Sequence, residues 1–314
     1  MNEGEDKLFC LVTGGAGFIG SHVCEALIAR GDRVRILDNF ATGKRDTAQR
    51  LQGSSIEFVE GDIRSYHIVR DAVRDVEVII HLAALPSVPR SIKDPITTNE
   101  VNVGGTLNVL NAAREGGVAR VVFASSSSVY GSNAQLPKSE DMMPQPISPY
   151  AVSKLAGEKY CQTFTRSYGL ETVSLRYFNV FGPRQDPQSA YAAFIPKCLL
   201  ALRSGTRFVI DGDGSQSRDF TYVSNVVQAN LRALEAENVG GEVFNVACGD
   251  SLSVIEVVQH LQKMTGCMGN VVHGPGRVGD VPHSLADISH AQELLGYEPE
   301  ISAITGLQRI VAQL

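Results

Sequence analysis

The run Leu8-Phe-Cys-Leu-Val-Thr13 is apolar up to its last residue and breaks straight into Gly14-Gly-Ala-Gly17-Phe-Ile-Gly20. Apolar residues then recur at helical spacing from Phe18 to Arg30, where Gly31 stops them. A short apolar run bounded by glycines is the pattern of a strand buried on both faces, and the periodic stretch is a helix that starts inside the turn. A second apolar run, Arg33-Val-Arg-Ile-Leu37, ends at Asp38. Two strands joined through a helix run parallel, so this opening commits the chain to a parallel sheet.

The alternation continues. Ile56-Glu-Phe-Val59 precedes Gly61-Asp62, Val76-Glu-Val-Ile-Ile80 precedes His81-Leu-Ala-Ala84, and Arg120-Val-Val-Phe-Ala124 precedes a serine cluster, with helical stretches between them. Long helices are expected from Asn99 to Gly116 and from Pro149 to Tyr168, the second with Ser148 as N-cap and proline at the first helical position. This is the α/β class, a doubly wound parallel Rossmann sheet. After about residue 178 the rhythm loosens into glycine-rich turns at Asp211-Gly-Asp-Gly214 and Gly274-Pro-Gly-Arg277, with helices near Tyr222 to Glu237 and Ser253 to Thr265. Residues 1–178 are therefore expected to form the nucleotide-binding domain, and 179–314 a smaller C-terminal α/β substrate domain. The strand Glu242-Val-Phe-Asn245 could return to the main sheet.

A dinucleotide's pyrophosphate needs backbone N–H groups and a helix N-terminus close to it, and side chains there would collide with it. Gly14, Gly17 and Gly20 meet that need, and Asp38 follows about 20 residues on, where a carboxylate accepts from the adenosine ribose hydroxyls. The same carboxylate repels a 2′-phosphate, which favours NAD over NADP. Lys44 and Arg45 follow closely in sequence, with a solvated loop as their ordinary role. Asp62 either meets the adenine edge or caps a loop; both readings stay open.

Tyr150 and Lys154 lie four residues apart and share a helix face. A nearby ammonium is expected to draw the phenol down from its usual ~10 and make it a general base. Ser125-Ser-Ser-Ser128 closes a strand where such sheets bind ligands, and offers hydroxyls for the reacting alcohol.

Gly14-Gly-Ala-Gly-Phe-Ile-Gly20, Asp38-Asn39, Gly61-Asp62, His81-Leu-Ala-Ala84, Ser126-Ser-Ser-Val-Tyr-Gly131, Tyr150-x-x-x-Lys154, Leu175-Arg-Tyr-Phe-Asn-Val-Phe-Gly182 and Ser217-Arg-Asp-Phe220 span almost the whole chain. Together they resemble the extended short-chain dehydrogenase/reductases, specifically the nucleotide-sugar 4-epimerases. The resemblance implies bound NAD, oxidation of the sugar C4 hydroxyl, turnover of the 4-keto sugar in the pocket, and return of hydride to its other face. It makes Tyr150 the base, Lys154 the cation that tunes it and holds the nicotinamide ribose, and Ser126 the partner of the hydroxyl. It also implies cofactor contacts from Phe18, Ile19, Asn39, Ile63, Leu82, Ala84, Asn102 and Tyr177. Asn179 resembles the residue that meets the diphosphate, Arg218 and Arg277 resemble the phosphate-binding arginines, and Asp280 either binds the uridine ribose or pairs with Arg277.

Related dehydratases carry an acidic triplet where this chain has Ser126-Ser127-Ser128, and UDP-glucuronate decarboxylases tend to carry glutamate at the position of Ser128. Epimerisation needs no acid or base beyond the tyrosine and serine. Ser284 and Ala193 are small at positions that wall the sugar pocket in relatives, and Ser87, Ser127 and Ser128 could contact an N-acetyl group or a carboxylate. The chain thus resembles the subgroup that accepts UDP-N-acetylhexosamines. It departs at Pro86, where the most specific relatives carry glycine, so both acetylated and plain UDP-hexoses are expected as substrates. A UDP-uronate epimerase or decarboxylase is the alternative, with Arg90 either the cation for the carboxylate or a solvated loop residue.

A net charge of −6 without a sustained Lys/Arg stripe argues against nucleic acid. Six scattered cysteines without a C-x-x-C pair read as reduced packing residues, and no metal is expected. A polar start and the lack of a spanning apolar run make a cytoplasmic protein the expectation. The helices from Asn99 and Pro149 resemble a pair that forms a four-helix homodimer interface in relatives, although their apolar positions could pack within the monomer.

Overall fold

The computed structural model describes residues 7–51, 55–189, 193–276 and 281–313. Strands β1 (Phe9–Thr13), β2 (Arg33–Asp38), β3 (Ile56–Glu60), β4 (Val78–His81), β5 (Arg120–Ser126) and β6 (Glu171–Tyr177) join the Val243–Val246 strand in one seven-stranded sheet. Its order is Val243–Val246, β6, β5, β4, β1, β2, β3, and every pairing is parallel. The late strand therefore does return to the main sheet, pairing Val246 with Tyr177.

Strand alternation divides the core between the two faces. Cys10 and Val12 of β1 pack with the Phe18–Arg30 and Val223–Glu235 helices on one side. Phe9 and Leu11 pack with the Tyr66–Ala72, Thr106–Glu115 and Pro149–Tyr168 helices on the other. Leu11, Ile36, Ile79 and Ile80 are fully buried, each stabilising the fold by about 1.5–3 kcal/mol. The strand order reverses beside β1, which pairs with β2 on one side and β4 on the other. Ligands bind at such a switch point, outside the C-terminal strand ends.

A second core gathers Phe181, Ile195, Cys198, Leu199, Val257 and Leu307 around the parallel pair Arg207–Asp211 and Asn270–Gly274. The C-terminal region is not one continuous unit. Residues Val223–Glu235, Val243–Val246 and Ser289–Leu295 pack against the nucleotide-binding sheet, while the helices Phe194–Ser204, Val254–Thr265 and Ala303–Ala312 build the smaller lobe.

One expected helix proved composite. From Pro95 the chain is α-helical to Asn99, π-helical over Glu100–Gly105, and α-helical again over Thr106–Glu115. A π turn admits an extra residue and re-aims the side chains it carries. By contrast, the Pro149–Tyr168 helix has the expected bounds, with the Ala151 N–H donating to the Ser148 hydroxyl at 3.2 Å.

Candidate active site

Thr13, Asp38, His81, Ser126 and Tyr177 all lie at the C-terminal ends of neighbouring strands, and the site is built on that edge. At the first of these ends Gly14 has φ +73°, and its N–H donates to the Leu37 carbonyl at 2.8 Å. A Cβ on Gly20 would lie 2.2 Å from the Gly14 carbonyl oxygen, so glycine there lets the helix start close against the turn. Gly17 is different. Its backbone is extended, which any residue adopts, and a Cβ would meet just the Gly14 carbonyl oxygen, at 3.1 Å. Glycine at this position keeps open a space that the protein itself does not fill.

The helix led by Phe18 and Ile19 has no side-chain cap at its N-terminus. The buried Asp38 carboxylate orders the turn, accepting from the Ala16 N–H at 3.0 Å and the Phe40 N–H at 2.8 Å. Burial raises the Asp38 carboxyl above the usual range, against the pull of these two donors. An uncapped helix start, an open glycine and a carboxylate at the end of β2 fit a dinucleotide's pyrophosphate and ribose.

Asn39 donates to Asp62 at 2.9 Å, and Arg64 donates to the same carboxylate at 2.8 Å. These bonds hold the Asp62 carboxyl below its ordinary value, with Arg64 the largest cause. Asp62, Arg64, Asn99, Glu100 and Asn108 line an open cavity of about 760 Å³. Ile63 is buried against Gly105 of the π turn. Leu82 and Ala84 continue from β4, with the Leu82 N–H donating to the Thr13 carbonyl at 3.1 Å.

Ser126 lies close enough to Tyr150 to favour its phenolate. Ser126 accepts from the Ser128 N–H at 3.2 Å and the Ser128 hydroxyl at 2.9 Å. With two donors already on its oxygen, the Ser126 proton is left to donate. Ser127 and Ser128 begin a 3₁₀ turn that ends at Tyr130. Lys154 is buried and donates to the Ala124 carbonyl at 2.7 Å, its ammonium 5.1 Å from the Phe123 ring centre and 6.0 Å from that of Tyr150.

The expectation that Lys154 draws the Tyr150 phenol toward neutrality is not met. Burial raises the phenol above its ordinary value, and the opposing pull comes from Ser126. Lys154 itself is pushed down to about 8 by burial, with Cys161 and Glu158 favouring its charge. Beneath it the fully buried Glu158 takes a bidentate bond from Arg176, 2.9 Å on each arm, and a further bond from Ser125.

Two side chains expected at the cofactor have their polar atoms engaged within the protein. The Tyr177 hydroxyl donates to Asn230 at 3.0 Å within the sheet core. The Asn102 amide accepts from the Leu85 N–H at 2.7 Å and donates to the Leu85 carbonyl at 3.1 Å and the Ser153 hydroxyl at 3.0 Å.

On the facing lobe, Ser217 and His283 form a parallel bridge that brings Arg218 beside Ser284. The Ser284 N–H donates to the Ser217 carbonyl at 3.0 Å, and Arg218 donates to the Ser217 and Pro282 carbonyls at 2.8 and 3.1 Å. Asp219 knots this surface, accepting from the N–H groups of Cys248, Gly249 and Ala286 at 2.8, 3.0 and 3.3 Å. Its carboxyl is raised to about 6 by burial, which outweighs those donors. Asn179, at φ +32°, donates to the Asp219 carbonyl at 3.2 Å. Ala193 is exposed at the start of the Phe194–Ser204 helix. Arg277 and Asp280 lie outside the described residues.

Sequence reasoning missed how the loop after β4 is supported. Ser87, at φ +96° and ψ 120°, caps the Val88–Lys93 helix by accepting from the Arg90 N–H at 3.3 Å. His81, fully buried and pushed down to about 3 by desolvation, bridges the Thr13 hydroxyl at 2.7 Å and the Thr106 hydroxyl at 3.0 Å. The Thr106 proton is spent on the Asn102 carbonyl at 2.6 Å. His81 therefore donates through Nε2 and accepts the Thr13 proton at Nδ1.

Residues 10–247 match the model of the NAD dependent epimerase/dehydratase family. The chain is 40% identical over 306 residues to a putative UDP-glucose 4-epimerase of Methanocaldococcus jannaschii, covering 96% of each. It is similar to the structure of a UDP-N-acetylglucosamine 4-epimerase from Methanobrevibacter ruminantium in complex with UDP-N-acetylmuramic acid, with a TM-score of 0.92 and 36% identity over 99% of this chain and 100% of that one. It is also similar to a UDP-glucuronic acid 4-epimerase from Bacillus cereus in complex with UDP-glucuronic acid and NAD, with a TM-score of 0.91 and 34% identity over 98% and 99% of the two chains. With the glycine turn, the strand-edge serine and the Tyr150–Lys154 pair in place, the chain belongs to the NAD dependent epimerase/dehydratase family.

Proposed function

We propose that the protein is an NAD-dependent 4-epimerase of UDP-hexoses, interconverting UDP-Glc with UDP-Gal and UDP-GlcNAc with UDP-GalNAc. One observation carries this reading: Ser126 ends β5, and Tyr150 shares a helix with buried Lys154, whose ammonium is 6.0 Å from the Tyr150 ring centre, with no carboxylate among Ser126, Ser127 and Ser128. Tyr150 takes the proton of the 4-hydroxyl, and Ser126 donates to the oxygen that becomes the carbonyl. On the return step the same two groups restore the alcohol, so inversion at C4 needs no third acid or base. Gly14, Gly17, Gly20 and Asp38 would hold the pyrophosphate and ribose of NAD. When bound, NAD supplies reversible hydride acceptance at C4 and a cationic ring that would offset the burial of Tyr150.

In this reading Arg218 and Asn179 would meet the diphosphate and Ser284 would be a small wall residue, its N–H bonded to the Ser217 carbonyl next to Arg218. The tolerance of acetylated sugars rests on Ser284, Ala193 and the Ser87 loop. The uronate reading has its support in relatives named for UDP-glucuronic acid and in Arg90 on the helix that Ser87 caps. Incubation with NAD and UDP-GlcNAc, UDP-Glc or UDP-GlcA, with products resolved by chromatography, separates the two. Inverted hexoses support the proposal; a pentose, or turnover of UDP-GlcA alone, refutes it.

We also infer a homodimer. Ile92, Ile96 and Val152 are 65%, 72% and 53% exposed on helices packed side by side. Ile96→Glu should convert a dimer to a monomer in light scattering; a monomeric wild type contradicts this.

A further inference from the structure

We propose that Arg64 competes with the adenine amine of NAD for the Asp62 carboxylate, and so sets how far the cofactor site distinguishes adenine from other bases. The inference takes NAD as the cofactor and does not depend on which sugar is turned over. Asp62 follows β3, which pairs with β2 and its terminal Asp38, so both carboxylates stand on the ligand-binding edge of the sheet, on the β2–β3 side of the switch point.

One Asp62 oxygen accepts from the Arg64 backbone N–H at 2.8 Å and from its Nε at 3.1 Å. The other accepts from the Asn39 amide at 2.9 Å and from Arg64 Nη2 at 2.8 Å. A carboxylate offers about four lone-pair sites, and each of the four is taken. Two of the donors are fixed. The Asn39 carbonyl oxygen accepts from the Ala41 N–H at 3.0 Å, which holds its NH₂ toward Asp62. The Arg64 backbone is pinned because the Asn108 amide donates to the carbonyls of Ile63 and Arg64 at 2.9 and 3.0 Å.

The guanidinium alone is free to move away. The Arg64 side chain is 45% exposed, and its Nη1 lies 3.4 Å from Glu100, a second carboxylate on the wall of the open cavity that Asp62 also lines. An exposed ion pair of this kind contributes little to stability, so swinging the arm aside costs little. An adenine amine therefore gains a bond to Asp62 only by breaking one from Arg64, and the exchange leaves small net affinity. Without the arginine, the amine bond to the carboxylate is charge-assisted and uncontested.

The test is titration calorimetry of nucleotide-stripped protein with NAD and with nicotinamide hypoxanthine dinucleotide, in which a carbonyl replaces the adenine amine. The wild type should bind the two within about 3-fold of each other, and Arg64→Ala should favour NAD by about 10-fold or more. Arg64→Met, which keeps the aliphatic stem and removes the donors, should give the same preference, and the melting midpoints of both variants should stay near wild type. In the double variant Asp62→Ala/Arg64→Ala the preference should fall back to within about 3-fold, because the carboxylate that rewards the amine is gone. A wild-type preference already near 10-fold, an unchanged preference in Arg64→Ala and Arg64→Met, equal weakening of both nucleotides, or a preference that survives loss of Asp62 would each overturn the proposal.

Discussion

Replacing Asp38 by asparagine separates the electrostatic role of this carboxylate from its shape. The buried side chain uses one oxygen for the Ala16 N–H and the other for the Phe40 N–H. Asparagine keeps one acceptor and turns an NH₂ toward the other donor. A hydrogen bond to a charged group contributes roughly 1.5–3 kcal/mol, and leaving a buried donor unpaired costs about 1–3 kcal/mol. Burial already raises the Asp38 carboxyl, so the neutral amide recovers part of the desolvation cost of the charge. The net loss is on the order of 2 kcal/mol, or ~30-fold in an equilibrium constant. Because Ala16 lies within the glycine turn, binding NAD must restore the arrangement that the mutation loosens. Titration calorimetry of nucleotide-stripped protein should therefore give an NAD Kd about 30-fold weaker. Asp38→Asn binding NAD within 3-fold of wild type would refute the claim that this carboxylate orders the turn and receives the ribose.

The two glycines of the turn should fail in different ways. Gly20→Ala drives a methyl into the Gly14 carbonyl and should lower the melting midpoint and NAD binding together. Gly17→Ala should bind NAD at least 10-fold more weakly at nearly wild-type melting, since its Cβ meets little of the protein; equal effects from both would contradict the open cradle. Lys154 sits near 8 rather than its usual 10.5, so turnover should decline with one proton as pH rises through about 8. Its lowered folded pKa means that the charged amine costs stability fully below pH 8 and ever less between 8 and 10.5. The melting advantage of Lys154→Met should therefore shrink from pH 7 to pH 10, and a constant difference would rule out this account. Ser284→Tyr should abolish turnover of UDP-GlcNAc while sparing UDP-Glc in steady-state assays; equal loss of both would remove Ser284 from substrate choice.

Much of the fold was legible because the sheet strands buried on both faces carry unbroken apolar runs, as in Phe9–Thr13 and Arg120–Ala124. Strand β6 was not, since Thr172, Ser174 and Arg176 alternate along it as though one face met solvent. All three are buried, and Arg176 is matched by Glu158 from a helix that periodicity cannot pair with it. The Tyr150–Lys154 face was readable from helical spacing, but the balance of charge and burial at Tyr150 depends on what surrounds it in three dimensions. The π turn left no trace in hydrophobic pattern, because Glu100-Val-Asn-Val-Gly-Gly105 suits a helix of either register. The grip of the Asn102 amide on the Leu85 backbone follows from that register. Ser87 carries no signal for a positive φ, a conformation that glycine or asparagine ordinarily marks.

The central claim is oxidation and reduction at one sugar carbon, with Tyr150 moving the proton. It is tested most directly with UDP-Glc and UDP-GlcNAc deuterated at C4, incubated with NAD and either the wild type or Tyr150→Phe, with products resolved by chromatography and mass spectrometry. The wild type should yield the C4-inverted hexose with the deuterium retained, and Tyr150→Phe should bind NAD normally while turning over at least 100-fold more slowly. Deuterium lost to water, a pentose product, or undiminished turnover by Tyr150→Phe would contradict the account.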